Sequence, residues 1–235
     1  MRYFISPPFG NYIKHPNAIS VTGSWTLKER PGLLLQILKT LRYTKNGWRN
    51  KIGLRNKGIQ YALKKKTDSV LSIASIKELD LNTMHMIIPS KQNVEINLSC
   101  PNVDKDLNVL PKGLDAWKNG DREWCILKIS PTTQKRNIDR LIDMGFNQIH
   151  ASNTLPTDDG GLSGKILKPY TLRKIEYIKS KYSHVTCIAG GGVTEISDVN
   201  TYVNAGADHI SLGTVCFTPW KMNRILNGVT NGQSE

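Results

Sequence analysis

Short runs of apolar, often β-branched residues recur along the chain and are separated by longer, more polar stretches. Such runs, bounded by turn residues, are typical of strands that are buried on both faces of a sheet. The pattern predicts eight strands, at residues 3–5, 18–22, 69–74, 94–98, 125–129, 148–151, 185–189 and 209–212.

Between the later strands, apolar residues recur at the spacing of an amphipathic helix, as Ile138, Leu141 and Ile142 do. Pro169 suits the first turn of a helix, and Gly145 and Gly206 stand where two helices should end. The spacing predicts helices at residues 75–88, 132–144, 169–182 and 195–204.

About eight strands alternating with helices in 235 residues predict an α/β fold, namely a closed (β/α)8 or TIM barrel. The alternative is an open, doubly wound sheet, which needs fewer strands and a glycine-rich first turn. The glycine clusters come late in this chain, and late clusters favour the barrel, whose phosphate sites often follow the seventh and eighth strands. We expect a single compact domain over residues 1–235, with a frayed polar tail at 228–235.

The composition excludes some classes of protein. No apolar stretch approaches the ~20 residues of a membrane span, and the N-terminus resembles neither a signal peptide nor a transit helix. The four cysteines are widely spaced without a CxxC pair, which predicts reduced thiols in the cytoplasm and no zinc site. The formal charge of +13 suggests a nucleic-acid-binding protein, but the basic residues are spread out and no nucleic-acid motif accompanies them.

Polar side chains collect where the predicted strands end, and in a barrel those ends meet at one mouth. The fourth strand is followed by two amides, a hydroxyl and a thiol, on Asn97, Asn102, Ser99 and Cys100. Uncharged amides suit a flat ring with alternating C=O and N–H groups, such as a pyrimidine. A thiol beside them predicts acid–base chemistry on a small molecule.

Lys128 stands inside the apolar fifth strand, where an inward lysine costs free energy unless it meets an anion. Glycine clusters at 160–164, 190–192 and 213 follow strands, and the backbone N–H groups of such clusters can approach a phosphate closely. Each feature alone has an ordinary alternative: a snorkelling lysine, a simple turn, or Asn50 and Asn153 as turn residues. Their convergence on one barrel mouth favours a ligand site.

Together these segments resemble the dihydroorotate dehydrogenase family, the FMN-dependent barrels of pyrimidine synthesis. The resemblance runs from about Gly23 to Phe217, most of the chain, and depends on the order and spacing of several motifs. The segments that carry it are 23–26, 50–58, 97–102, 128–131, 152–154, 160–165, 190–193 and 211–214.

The resemblance implies that the protein oxidises dihydroorotate to orotate with bound FMN. Cys100 would be the base that removes a proton from the substrate, while a hydride passes to flavin N5. Lys128 would lie against the flavin and stabilise the negative charge of its reduced form. The implied substrate-binding residues are Asn50, Asn97, Asn102, Asn153 and Thr154. The implied cofactor-binding residues are Gly23, Ser24, Asn50, Asn97, Lys128, Ser152, Ser163, Gly164, Gly191, Gly192, Gly213 and Thr214.

The resemblance leaves the electron acceptor open. A cysteine base is typical of soluble members, whereas Gly23-Ser24 and residues 161–165 are closer to the quinone-linked branch. Fumarate, a quinone, NAD through a partner subunit, and oxygen are the alternatives.

This chain also departs from the family pattern. The quinone-linked branch takes a flavin-contacting lysine from the end of strand one, and Lys14 is the candidate for it here. Ser75 or Ile76 stands near the position where the family has an asparagine, at the end of strand three. The N-terminal cap of the barrel is reduced. Two other functions therefore stay open: a related flavin barrel acting on another reduced pyrimidine, and a degenerate, non-catalytic barrel that binds FMN or a nucleotide. A homodimer is the expected assembly.

Overall fold

The computed structural model describes residues 1–65, 68–98, 110–118 and 121–228. Its strands, numbered in chain order, are β1 (Tyr3–Ile5), β2 (Ala18–Trp25), β3 (Arg42–Thr44), β4 (Gly47–Asn50), β5 (Val70–Ile73), β6 (Val94–Asn97), β7 (Cys125–Ile129), β8 (Gln148–Ala151), β9 (Leu155–Thr157), β10 (Gly160–Ser163), β11 (Thr186–Gly190) and β12 (His209–Leu212). Its α-helices are α1 (Leu33–Thr40), α2 (Ile59–Lys64), α3 (Asp80–Ile87), α4 (Lys135–Asp143), α5 (Lys168–Lys181), α6 (Ile196–Asn204) and α7 (Pro219–Asn227).

Eight parallel strands close into a barrel, which confirms the predicted TIM fold. Their order around the wall is β1, β2, β5, β6, β7, β8, β11, β12, and β12 pairs with β1 to complete the circle. The eight runs predicted as strands are these eight strands. The tail at 229–235 lies outside the described residues, so its predicted fraying stays a prediction.

The lower part of the barrel interior is a closely packed apolar layer. Phe4, Val70, Ile126 and Ile188 are all buried and come from the first, third, fifth and seventh barrel strands. Four side chains from alternate strands are the usual filling of such a barrel. Trp124 packs edge-on against Phe4, with ring centroids 5.0 Å apart, just before β7 begins. Polar chemistry is therefore confined to the opposite end of the strands.

Strands β3, β4, β10 and β9 form a second, smaller sheet that the apolar pattern does not predict. These strands are short, and most of their residues are partly buried or exposed. They therefore lack the continuous apolar runs of the barrel wall. Aromatic contacts fix this sheet to the barrel, because Trp48 lies 4.3 Å from Phe217 and Phe217 lies 4.8 Å from Phe9, between ring centroids. The sheet therefore stands beside the segment that follows β12.

Two helices begin later than their apolar spacing predicts. The carboxylate of Asp80 accepts hydrogen bonds from the backbone N–H groups of Ile76 and Lys77, at 2.8 and 2.9 Å, which holds the preceding residues as a turn. The hydroxyl of Thr133 accepts one from the N–H of Ser130 at 3.0 Å, so α4 begins only at Lys135. Short polar side chains often compete with a helix in this way.

Two predicted helix ends are confirmed. Gly145 and Gly206 follow α4 and α6 with φ of +98° and +101°, the left-handed conformation that ends many helices.

Helix α1 was not predicted, and it leaves its leucines in solvent. None of its residues is buried, and Leu34 and Leu38 are 71% and 65% exposed. An apolar face of this kind is typical of an interaction surface. Within the described part of the chain, no helix is long and apolar enough to cross a membrane.

Candidate functional site

Three amide and hydroxyl side chains meet at the barrel mouth. Asn97, at the end of β6, donates from Nδ2 to Ser24 Oγ at 2.9 Å, and its Oδ1 accepts from Asn153 Nδ2 at 2.9 Å. The Oδ1 of Asn153 in turn accepts from the backbone N–H of Thr154, also at 2.9 Å. The ends of β2, β6 and β8 are thus linked by uncharged hydrogen-bonding groups, and four of the residues predicted for the site lie together.

The same network continues down into the barrel. The hydroxyl oxygens of Ser24 and Ser72 are hydrogen-bonded at 3.1 Å, and Ser72 donates to Glu95 Oε1 at 3.0 Å. Glu95 is only 1% exposed. A continuous chain of polar contacts therefore joins the mouth to a carboxylate in the interior.

Glu95 lies between a lysine and a histidine. Lys128 Nζ is 3.6 Å from Glu95 Oε1, and His150 Nδ1 is 2.6 Å from Glu95 Oε2. Lys128 and His150 face each other across β7 and β8 in the strand register, and both are buried. The predicted inward lysine does meet an anion.

The electrostatics of the three residues are set by burial and by their mutual contacts. Burial alone would raise the pKa of Glu95, but the Lys128 charge and the His150 and Ser72 hydrogen bonds lower it to about 2. Burial lowers the pKa of His150, helped by Lys128 and opposed by Glu95. At neutral pH the carboxylate is ionised and the imidazole is neutral.

The first glycine of the 190–192 triplet makes room for this histidine. A Cβ added to Gly190 would lie 2.4 Å from His150 Nε2, closer than any side chain could tolerate. Gly191 and Gly192 have φ of +98° and +78°, which favours glycine for a separate, conformational reason. The triplet therefore combines a packing requirement with a sharp backbone turn.

A basic cavity of about 750 Å³ opens beside the ends of β10 and β12. Its lining includes Gly164 and Thr214, two residues predicted to contact a phosphate. Among the described residues that line it, the cationic side chains are Lys45, Lys165, Lys221 and Arg224, and the single carboxylate is that of Glu195. Next to Thr214, a Cβ added to Gly213 would meet nothing within 4 Å, so the space above this backbone is open. The cavity suits an anion.

Two other predicted residues, Ser152 and Gly23, form hydrogen bonds that join neighbouring elements of the barrel. The Ser152 hydroxyl is bonded to Thr171 Oγ1 at 3.0 Å, and Thr171 donates to the Gly190 carbonyl at 2.9 Å, which ties β8 and α5 to β11. The backbone N–H of Gly23 donates to Asn11 Oδ1 at 2.9 Å, which fixes the end of β2.

The smaller sheet holds two more of the predicted residues. Asn50 pairs with Gly161 and Ser163 with Trp48 across β4 and β10. Lys14, the candidate strand-one lysine, is an exposed residue between β1 and β2.

Cys100 and Asn102 lie outside the described residues, as does Ser99, so their predicted places remain predictions. The three described cysteines are free thiols. Burial raises the pKa of Cys187 and Cys216 to about 12 and also raises that of Cys125. Among the described cysteines, none has the low pKa of a reactive thiol.

Sequence reasoning missed Glu95, His150 and Asn11. Glu95 stands two residues before Asn97, so the alternation of side chains along a strand places both on the interior face. A charged residue inside an apolar strand is the signal for Glu95, as it is for Lys128. The Asn11 contact depends on a loop conformation that no periodicity describes.

A family model described as dihydroorotate dehydrogenase matches residues 11–231. The chain belongs to the dihydroorotate dehydrogenase family. The matched span takes in the amides at the mouth, the buried ion pair and the glycine clusters.

Relatives and solved structures agree with this family. The catalytic subunit of dihydroorotate dehydrogenase B (NAD(+)) from Desulforamulus reducens is 28% identical over 90% of this chain and 80% of its own length. A putative dihydroorotate dehydrogenase A (fumarate) from Aquifex aeolicus is 26% identical over the same shares. The fold matches that of dihydroorotate dehydrogenase from Eimeria tenella, crystallised with ferulenol, with a TM-score of 0.70 and 19% identity over 98% of this chain and 81% of that one.

Dihydroorotate dehydrogenases depend on FMN, and the residues of this chain fit that cofactor. The basic cavity with open space at Gly213 suits a phosphate. The uncharged amides at the mouth suit the polar edge of a flat ring, and the buried Lys128 lies below them in the barrel.

We predict that Glu95→Gln destabilises the fold by about 3–5 kcal/mol at pH 7, because it leaves Lys128 buried without its anion. The folded-state pKa of Glu95 lies below its ordinary value of 4.5, so its contribution is present above pH 4.5 and is lost as the pH falls toward 2. Urea unfolding at pH 7 and at successively lower pH should show the gap between wild type and variant closing.

Glu123→Gln is the matched control, because Glu123 forms an exposed ion pair with Arg2 at 2.5 Å. That change should cost less than about 1 kcal/mol. Equal losses in the two variants, or a gap that widens on acidification, would contradict the assignment of Glu95 as a buried ion-pair partner.

Proposed function

We propose that this protein oxidises dihydroorotate to orotate with bound FMN, the step that this family performs in pyrimidine synthesis. The observation that carries the proposal is the continuous polar chain from Thr154 through Asn153 and Asn97 to the buried Glu95–Lys128 pair. It combines neutral groups for a planar substrate with a fixed cation below them, above the apolar floor of the barrel.

The amides bind and orient the substrate ring in this proposal. Asn97 and Asn153, now bonded to each other, carry donors and acceptors that can pair with ring N–H and C=O groups. Thr154, Asn50 and Asn102 complete the substrate set. Holding the ring against the cofactor is the main contribution of such residues to the rate.

Cys100 takes the proton from the substrate carbon, and its thiolate is the reactive form. Bound FMN would supply the acceptor for a hydride from the neighbouring carbon. Lys128 stabilises the negative charge that reduction brings to the cofactor, and its burial strengthens that interaction.

The cofactor phosphate would lie at the basic cavity, whose lining includes Gly164 and Thr214. The backbone of Gly191, Gly192 and Gly213 would also contribute to holding it. The positive φ of Gly164, Gly191 and Gly192 supports this assignment, because such turns present N–H groups to an anion. Gly23, Ser24, Ser152 and Ser163, at the ends of β2, β8 and β10, would border the cofactor.

The electron acceptor, the assembly and the location of the protein complete the proposal. The names of the relatives include NAD(+) and fumarate as acceptors. For this chain the candidate acceptors are fumarate, NAD through a partner subunit, a quinone and oxygen, and each can be added in turn to the reduced protein. The exposed leucines of α1 support a homodimer, which light scattering can detect.

The free thiols of Cys125, Cys187 and Cys216 support a cytoplasmic location.

The decisive experiment is the absorbance spectrum of the purified protein, followed by anaerobic titration with dihydroorotate. We expect a flavin band that bleaches stoichiometrically with substrate and recovers on addition of one of the candidate acceptors. Bleaching only by another reduced pyrimidine would show that this compound, and not dihydroorotate, is the substrate. A stable flavin band with no bleaching would indicate a non-catalytic barrel. Absence of flavin, even after FMN is added, would overturn the proposal.

We predict that Cys100→Ser slows flavin reduction by dihydroorotate about 10²–10⁴-fold near neutral pH, because a hydroxyl loses its proton far less readily than a thiol. Anaerobic stopped-flow measurements across a pH series should show the difference shrinking as the pH rises. Cys125→Ser is the control, because the Cys125 thiol lies outside the mouth and donates to the Trp117 carbonyl at 3.3 Å. An unchanged rate in Cys100→Ser would remove this residue from the mechanism.

We also predict that Gly213→Ala weakens FMN binding roughly tenfold to a hundredfold. The added methyl group would occupy the space proposed for the phosphate, and this is the range expected when hydrogen bonds to a charged group are lost. The added Cβ enters open space, so the melting temperature of the apoprotein should change little. Riboflavin, which lacks the phosphate, should bind wild type and variant equally in fluorescence titrations. An equal loss for both flavins would mean that the phosphate lies elsewhere.

A further inference from the structure

Lys128, Glu95 and His150 form a closed group between the apolar floor of the barrel and its mouth. The three residues are 7%, 1% and 2% exposed, and the only charges among them are those of the lysine and the carboxylate. Glu95 Oε1 faces Lys128 and Ser72, while Oε2 faces His150 alone among the described contacts. Each carboxylate oxygen thus has its own donor.

The protonation of His150 follows from this contact. A neutral imidazole carries one N–H, and an ionised carboxylate can only accept. The proton therefore lies on Nδ1 and points at Glu95, which leaves Nε2 as a bare acceptor beneath Gly190. Among the described residues, Nε2 is buried without a hydrogen-bond partner.

We propose that His150 is a positioning residue for the flavin chemistry: it holds Glu95 as an ionised carboxylate against Lys128, so that the lysine charge is already offset before the cofactor is reduced. The inference rests on the proposed function, since it assumes that FMN binds above Lys128. The net charge of the three side chains is zero. Because their charges cancel, Lys128, Glu95 and His150 together limit how strongly the protein favours a negatively charged flavin.

Removal of the carboxylate charge should make the site favour the anionic flavin more strongly. For Glu95→Gln we expect the affinity for sulfite, which adds to flavin N5 and leaves negative charge on the ring, to rise roughly tenfold. The two-electron reduction potential of the flavin should rise in parallel, and a tenfold change corresponds to ~30 mV.

Changes at His150 should act in the same direction through Glu95. His150→Leu removes the donor that holds Glu95 Oε2 in place, so the carboxylate can turn away from Lys128 and offset its charge less. Sulfite should then bind roughly threefold tighter. His150→Asn places an amide N–H near the position of Nδ1 and should restore wild-type sulfite affinity and potential. His209→Leu is the matched control, because this histidine lies at the barrel floor, with its ring 5.4 Å from Trp124.

A second measurement needs no flavin. In ¹⁵N-histidine NMR spectra at pH 7, His150 should show a protonated Nδ1 and a bare Nε2, and Glu95→Gln should shift its Nδ1 resonance. This arm also decides the question if His150→Leu fails to fold. A protonated Nε2, or an Nδ1 resonance that Glu95→Gln leaves in place, would overturn the inference.

The two hypotheses fail in different ways. If wild type binds no FMN, or dihydroorotate does not reduce it, the proposed function fails, whatever the histidine spectrum shows. If wild type is reduced normally but Glu95→Gln and His150→Leu leave sulfite affinity and potential unchanged or lower them, the positioning role alone is wrong. Equal shifts in His209→Leu would also contradict it, because they would show a general effect of packing.

Discussion

A carboxylate that is ionised inside the barrel is the constraint on which the functional end of this protein depends. Water cannot reach Glu95, so the side chains of the neighbouring strands must supply every compensating contact. Ser72, Lys128 and His150 do so from β5, β7 and β8. These contacts fix the rotamers of residues on four adjacent strands, and through Ser24 they reach the amides at the mouth.

The barrel thus has two distinct levels. In the lower level, Phe4, Ile126 and the rest of the floor layer exclude water, so an unpaired charge there would be costly. Above, uncharged amides can exchange their mutual hydrogen bonds for those of a planar ligand. The anion-binding end lies to the side, where the smaller sheet meets the segment after β12 through the stacking of Trp48 on Phe217. Ring recognition and phosphate recognition are therefore carried by separate elements.

The sequence predicts the barrel wall well because strands buried on both faces are continuous apolar runs. It predicts helix starts less well, because Asp80 and Thr133 form local hydrogen bonds that periodicity does not register. The smaller sheet is short and partly exposed, and its pairing depends on contacts between distant segments. Asn97, Asn153 and Lys128 were identified from their positions at strand ends or in an apolar run, whereas His150 becomes significant only once Glu95 lies beside it.

The close approach of Gly190 to His150 links two positions forty residues apart in the sequence. As long as an imidazole occupies position 150, any side chain at position 190 would collide with it. A smaller apolar residue at 150 would relieve that restriction, but it would also leave Glu95 Oε2 without its donor. We therefore expect these two sites to co-vary among relatives of this chain, with histidine at one accompanied by glycine at the other.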